Sequence, residues 1–149
     1  MNISFRHAVE RDALEIVPFL RDRERINLIR VGNPADIIRE AMRESVSNYV
    51  CMADGAIAVM WGLQAAQMLG DSAYLWMLGT SVIEDHPIHF LRYSRAAMRL
   101  MRKRYRVLYG EIEMDYNLSI KWLTWLGAKI TPHERRLMFV LHDGEGYGA

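Results

Sequence analysis

Apolar and polar residues alternate at the start of the chain, with Ile3 and Phe5 set against Ser4 and Arg6, which predicts a short half-buried strand. The period then lengthens. Leu14, Val17 and Leu20 recur at helical spacing behind Asp12, an acid suited to capping their helix. The stretch 21–30 continues helical but is heavily charged, and Gly32-Asn33-Pro34 breaks it. Pro34 suits the first turn of a further helix carrying Ile37, Ile38, Ala41 and Met42. Ser47 to Met52 reads as a strand, Asp54-Gly55 as a hairpin turn, and Ala56 to about Met68 as a long apolar strand. Gly70-Asp71 turns the chain again into a third apolar strand, Ala73 to Thr80.

The second half alternates helix and strand. A long helix is predicted over about Asp85 to Arg104, with Asp85 as its cap and Pro87 in its first turn. Val107 to Met114 is a strand, Asn117 to Leu126 an amphipathic helix, and Gly127 its left-handed stop. Lys129 to Thr131 and Leu137 to Leu141 are the last strands. The order β-α-α-β-β-β-α-β-α-β-β predicts an α/β (α+β) domain. Its sheet should be mixed and mostly antiparallel, of about six or seven strands, with helices on both faces and a right-handed strand–helix–strand crossover. Leu75, Met77, Val107 and Ile112 are expected beneath the long helix.

Composition adds bounds. The 149 residues suit one domain, taken as 1–142, with 143–149 as a flexible glycine-rich tail. The single cysteine, Cys51, forbids an internal disulfide and fits a reducing compartment. No apolar run approaches the roughly 20 residues of a membrane span, and the first residues lack a signal-peptide layout, so a cytoplasmic protein is expected. The formal net charge of +1 argues against a polyanionic partner such as nucleic acid.

Several residues could carry chemistry. His86 and His89 share a helical spacing, and Glu84 or Asp85 could add a ligand. The ordinary reading is a helix start with surface histidines, and no metal is expected. Arg92, Arg95, Arg99, Arg102 and Arg106 lie within an arc of about 80° on a helix. They form either a phosphate-binding stripe or, more simply, a solvated face beside the buried Leu91, Met98, Met101 and Tyr105. Cys51 sits in a strand, where a small buried side chain is the simpler reading than a nucleophile. Glu111, Glu113 and Asp115 share one strand face, as a polar sheet edge or as acids facing a substrate. Trp61 and Trp76 read as core. Trp122 and Trp125 differ by about 60° around their helix and, flanked by Leu123 and Leu126, make an apolar face too wide for one sheet face to cover, so at least one is expected to be partly exposed and to meet a second copy or another protein.

The element order over residues 2–142, and the run from Asn117 to Gly127-Ala128, resemble the acyl-CoA N-acyltransferase (GNAT) family. The segments Trp76–Thr80, Asp85–Arg95 and Ile120–Gly127 are similar to a narrower GNAT-like group of short-tailed bacteriophages, the internal virion protein A or acetyltransferase-like proteins. The resemblance implies acetyl-CoA as cofactor if the protein is active, with contacts from Leu78, Gly79, Thr80, Arg92, Arg95 and Asn117. It leaves Tyr116, Glu111 and Glu113 as catalytic candidates. It implies a place in the host cytoplasm or the virion, and other virion proteins as partners through Trp122 and Trp125.

Two departures matter. The family's Arg/Gln-x-x-Gly-x-Gly/Ala loop, whose N–H groups close on pyrophosphate at a helix N-terminus, is replaced by Ser81-Val82-Ile83-Glu84-Asp85-His86-Pro87, without glycine and with two acids. The family's proton-donating tyrosine falls at Leu123. Both imply a degenerate acyl-CoA site in a virion-associated structural or interaction protein. The alternative is an active N-acetyltransferase that moves an acetyl group from acetyl-CoA to an amine.

Overall fold

The computed structural model describes residues 2–65, 70–113, 117–133 and 136–142. The elements are β1 (Ile3–His7), α1 (Glu10–Ile16), a 3-10 turn (Val17–Phe19), α2 (Asp22–Val31), α3 (Pro34–Glu44), β2 (Ser47–Ala53), β3 (Ala56–Ala65) and β4 (Ser72–Gly79). There follow the one-turn α4 (Val82–Asp85), α5 (Pro87–Arg104), β5 (Val107–Glu113), α6 (Asn117–Trp125), β6 (Lys129–His133) and β7 (Arg136–His142). The seven strands form one sheet in the order β1-β2-β3-β4-β5-β7-β6. β4 and β5 run parallel, and the pairs β1–β2, β2–β3, β5–β7 and β6–β7 antiparallel. The sheet is therefore mixed and mostly antiparallel. The parallel pair exists because α5 carries the chain back before β5 begins. No helix among the described residues is long and apolar enough to cross a membrane.

Contacts gather the chain into two compact units, one of Met1–Gln64 with Trp76–Pro87, the other of Ala65–Leu75 with Ile88–Ala149. In the first, Ala13, Ile16, Leu20, Ile38, Val50 and Met60 form a buried core. Asp12 does not precede α1 as its cap. It stands at the third helical position, and its buried carboxylate accepts the Val9 N–H at 2.8 Å and both Arg6 terminal nitrogens at 2.8 Å. With the helix starting earlier, its inward stripe is Ala13, Ile16 and Leu20, while Leu14 faces out. Phe5, on the edge strand β1, is also exposed, with its ring edge-on to Trp61 at 5.9 Å.

The Asp54-Gly55 turn has φ of 50° and 85°, the two left-handed positions of a tight hairpin. The end of α3 is closed by side chains. Ser45 donates to the Ala41 carbonyl at 2.7 Å, the Asn48 amide to Met42 at 3.0 Å, and the Trp76 indole N–H to the Ser45 oxygen at 2.8 Å. These bonds satisfy carbonyls that any helix end leaves open. Trp76 lies flat on β3: a Cβ at Gly62 would come within 2.4 Å of its ring nitrogen.

The second unit buries Ala73, Leu75, Met98, Met101, Tyr105, Leu108, Leu123, Leu126, Phe139 and Leu141. Leu75 is buried as expected, but Met77, Val107 and Ile112 are only partly so. Val107 is off the inward parity shared by Leu108 and Gly110. At Gly110 a Cβ would lie 2.6 Å from the Phe139 ring, which packs on the bare backbone. α6 ends as its glycine predicts. Gly127 (φ 95°) and Ala128 donate N–H groups to the Thr124 and Leu123 carbonyls, each at 3.0 Å, closing a Schellman motif.

Candidate functional site

The connection from β4 to α5 spends its own hydrogen-bond donors. The Thr80 N–H goes to Ala58 at 3.0 Å, Ser81 to Phe19 at 3.1 Å, Val82 to the Thr80 hydroxyl at 3.3 Å, Ile83 to Thr80 at 3.2 Å, Glu84 to Ser81 at 3.1 Å and His86 to Ile83 at 3.1 Å. Pro87 has no N–H to offer. The Thr80 side chain is fully buried, and its hydroxyl donates toward the carbonyls of Ile57 at 2.7 Å and Ala58 at 3.1 Å. Asp85 does not cap α5. It closes the separate turn α4, with Glu84 and Asp85 both exposed.

The end of β4 is held from a second direction. Thr80 bridges Leu20, and the Arg21 N–H donates to the Gly79 carbonyl at 3.1 Å. Neighbouring backbone groups in a strand point to opposite sides. Since Thr80 N–H reaches β3, the bonds at Gly79 and Ser81 close the side of β4 away from β3. The Arg21 guanidinium, ion-paired with Glu24, lies over Gly79, where a Cβ would stand 3.0 Å from it and 2.9 Å from Ile83. Leu78 is partly buried beside this end.

On α5 and α6 the side chains divide into an inner and an outer set. Trp122 is tied inward: its indole N–H donates to the Ser94 hydroxyl at 3.1 Å, and its ring meets Phe90 at 5.5 Å. Trp125 is 44 % exposed, with the Arg95 guanidinium 4.0 Å above its ring centre. Arg92, Arg95 and Arg99 are exposed. Arg102 is not part of their face: it is buried, and Lys103 takes its place outside. Arg106 lies beyond the end of α5.

The architecture is shared with solved acetyltransferases. The ribosomal L7/L12 α-N-protein acetyltransferase RimL, in complex with coenzyme A, superposes with a TM-score of 0.72 at 11% identity, covering 95% of this chain and 94% of that one. The GNAT domain of S. lividans PAT gives 0.70 at 14% identity, over 93% and 89% of the two chains. YncA of Salmonella typhimurium, with its cofactor acetyl-CoA, gives 0.63 at 13% identity, over 99% and 96%. The chain has the GNAT fold. By sequence, no family model and no curated protein matches it.

Within that GNAT fold the candidate residues fall in different places. Gly79, Thr80 and Leu78 stand together at the end of β4, and Arg92 and Arg95 on the outer face of α5. Asn117 opens α6, but its side chain, like that of Glu113, lies outside the described residues, as do Asp115 and Tyr116 altogether. Glu111 is exposed and pairs in register with Met138. β5 lies between β4 and β7, but its pairing with β4 ends at Tyr109, so at Glu111 and Glu113 it is in register with β7 alone, which leaves the reading of a polar sheet edge in place. Leu123 is 1 % exposed, a core residue where the family pattern has its tyrosine. Cys51 is buried, and desolvation pushes its thiol up to about 11, which suits packing and not nucleophilic attack. His86 and His89 are exposed, and no group of three potential metal ligands occurs among the described residues.

Three contacts escape sequence reasoning: Ser94 under Trp122, Arg21 over Gly79, and Arg6 on Asp12. Each joins residues whose meeting depends on the fold. The one local signal was Asp12, an acid at a helix start.

Proposed function

We propose that this is a phage GNAT-like protein in which the acyl-CoA site is degenerate, acting as a virion-associated interaction protein. One observation supports weak cofactor binding: six N–H groups of the β4–α5 connection are donated to the chain itself. A pyrophosphate needs donors that point outward at a helix N-terminus. Here Thr80, Ser81, Val82, Ile83, Glu84 and His86 are committed internally, Pro87 offers none, and two exposed carboxylates repel the anion. The buried Leu123 supports the same reading, since leucine has no proton for a departing thiolate. The phage assignment is supported by the resemblance of Trp76–Thr80, Asp85–Arg95 and Ile120–Gly127. The interaction role is supported by the exposed indole of Trp125.

Calorimetric titration with acetyl-CoA tests the site. Binding should be weaker than micromolar, which corresponds to about −8 kcal/mol. A micromolar constant would overturn the degenerate-site reading in favour of an active N-acetyltransferase that holds the cofactor by Arg92 and Arg95. The GNAT fold is the observation behind that second reading, and Arg92→Gln and Arg95→Gln should then lose the binding. Mass spectrometry of purified particles tests the virion role. Absence of the chain from particles made in cells that express it would remove that role.

A further inference from the structure

The near-neutral total charge conceals a division between the two units. The first carries 8 basic and 11 acidic residues, the second 11 basic and 7 acidic. Between Ile88 and Gly110 there are seven basic residues and no acid. On α5, Arg92, Arg95, Arg99 and Lys103 are all exposed. They occupy an arc of about 80° and a ridge about 16 Å long. Among the described residues no carboxylate pairs with Arg92, Arg95, Arg99 or Lys103. Such a row of like charges repels itself at one-turn spacing, so it costs the isolated chain a little stability.

An aromatic plate adjoins the ridge. Trp125 lies beneath Arg95, and the residue remains 44 % exposed with the guanidinium on one face of its ring. Lys121, one turn earlier on α6, is exposed on the same face. Trp122, on the adjoining part of the helix, is anchored by Ser94 and Phe90, which holds α6 and its outer indole firmly against α5.

We propose that this face binds single-stranded nucleic acid, with the α5 ridge and Lys121 along the phosphates and Trp125 as a stacking plate for a base. The combination is what selects this partner. A cationic row alone fits any polyanion, but an exposed indole beside it fits a chain that alternates phosphate with flat aromatic rings. An acidic protein segment would leave the indole without a matching surface. The inference rests on the reading of an interaction protein and names its partner. Binding in solution can fail or succeed whether or not the chain enters particles, so the two readings are tested apart.

The experiment is fluorescence anisotropy of a labelled oligothymidylate titrated with the whole protein. Five neutralised phosphates, four along the ridge and one at Lys121, give a log–log salt slope of about −3.5 for a single strand, so raising salt from about 50 to 200 mM should weaken binding roughly 130-fold. Trp125→Ala should weaken binding roughly tenfold while Trp125→Phe retains most of it. Arg92→Gln, Arg99→Gln and Lys103→Gln should each flatten the slope by about 0.7. Indole fluorescence should be quenched on binding in the parent and much less in Trp125→Ala. No binding at the lower salt overturns the proposal. So does displacement of the labelled strand by polyglutamate as effectively, charge for charge, as by unlabelled oligothymidylate, which would assign the face to acidic protein. Duplex binding tighter than single-strand binding and unaffected by Trp125→Ala would remove the stacking role and overturn it too. Full competition by micromolar acetyl-CoA would assign the arginines to a cofactor instead.

Discussion

α3 and α5 are both amphipathic helices rich in arginine, and they treat their charges in opposite ways. On α3, Arg39 pairs with Asp36 at 3.2 Å and Arg43 with Glu40 at 2.9 Å, and both approach Glu10 of α1 at 3.9 Å. On α5, Arg92, Arg95, Arg99 and Lys103 pair with no carboxylate among the described residues. A periodic arginine stripe thus has two meanings. Where acids sit at i−3 the stripe is a neutralised, solvated face. Where they are missing, the charge remains available to something outside the chain.

The largest effect should come from the buried end of the first unit's charge network. Arg6 holds the Asp12 carboxyl below its ordinary range through their hydrogen bonds, burial opposes this, and the Val9 N–H adds to the lowering; Arg6 is raised in turn by the same bond. Asp12→Ala removes a buried carboxylate that accepts two Arg6 bonds and the Val9 N–H and leaves behind a 40 % exposed, solvated Arg6, so it should cost about 3 kcal/mol in urea unfolding, from the lost hydrogen bonds and not from a stranded charge. The sign of the pH dependence follows. Asp12 is depressed in the folded state, so its contribution is complete above the unfolded value of about 3.9 and fades as pH falls below it. Asp12→Asn should flatten that acid limb. A cost under about 1 kcal/mol would mean the charges of the first unit are as dispensable for stability as those of α5.

A second, smaller effect should separate the two late tryptophans. Trp122→Ala removes a partly buried ring, its Phe90 contact and its bond to Ser94, and should cost about 2–3 kcal/mol. Trp125→Ala should cost under about 1 kcal/mol, since it gives up an exposed ring and one cation–π contact. Comparable losses would show that Trp125 is structural, and would weaken its role as a contact surface.

The smallest effects sharpen the helix comparison itself. Asp36→Ala and Glu40→Ala should each destabilise by a few tenths, about 0.3–0.5 kcal/mol. Arg99→Gln should be neutral or stabilising by a similar amount, about 0.3 kcal/mol, because it relieves repulsion from Arg92, Arg95 and Lys103. Thermal unfolding would resolve the opposite signs. If Arg99→Gln destabilised like the α3 variants, α5 would hold a compensating acid.

Local signals in the sequence were sufficient for the architecture. Asp54-Gly55, Asn33-Pro34 and Gly127 are punctuation whose backbone demands few residues meet, so the turn, the helix start and the helix stop stand where the residues put them. Periodicity likewise located the strands and the long helix, because one face of each must be buried whatever lies against it. It was weaker on phase. Leu14 and Phe5 share the right period but face out, since which stripe is inward depends on where the helix starts and which strand is an edge.

The sequence by itself determined that a glycine loop and a tyrosine are missing from the places where a GNAT site has them, that residues 88–110 carry cations without acids, and that two indoles flank one narrow helix. Only the tertiary structure decided which of these groups remain available. It showed the donors of the β4–α5 connection used by Ala58, Phe19 and their own turn, Arg102 turned inward while Lys103 faces out, and Trp122 bound to Ser94 while Trp125 stays exposed. The physical reason is that a hydrogen bond or a burial is a relation between residues far apart in the chain. Spacing states what a side chain can offer, and the fold states whether another part of the chain has already taken it.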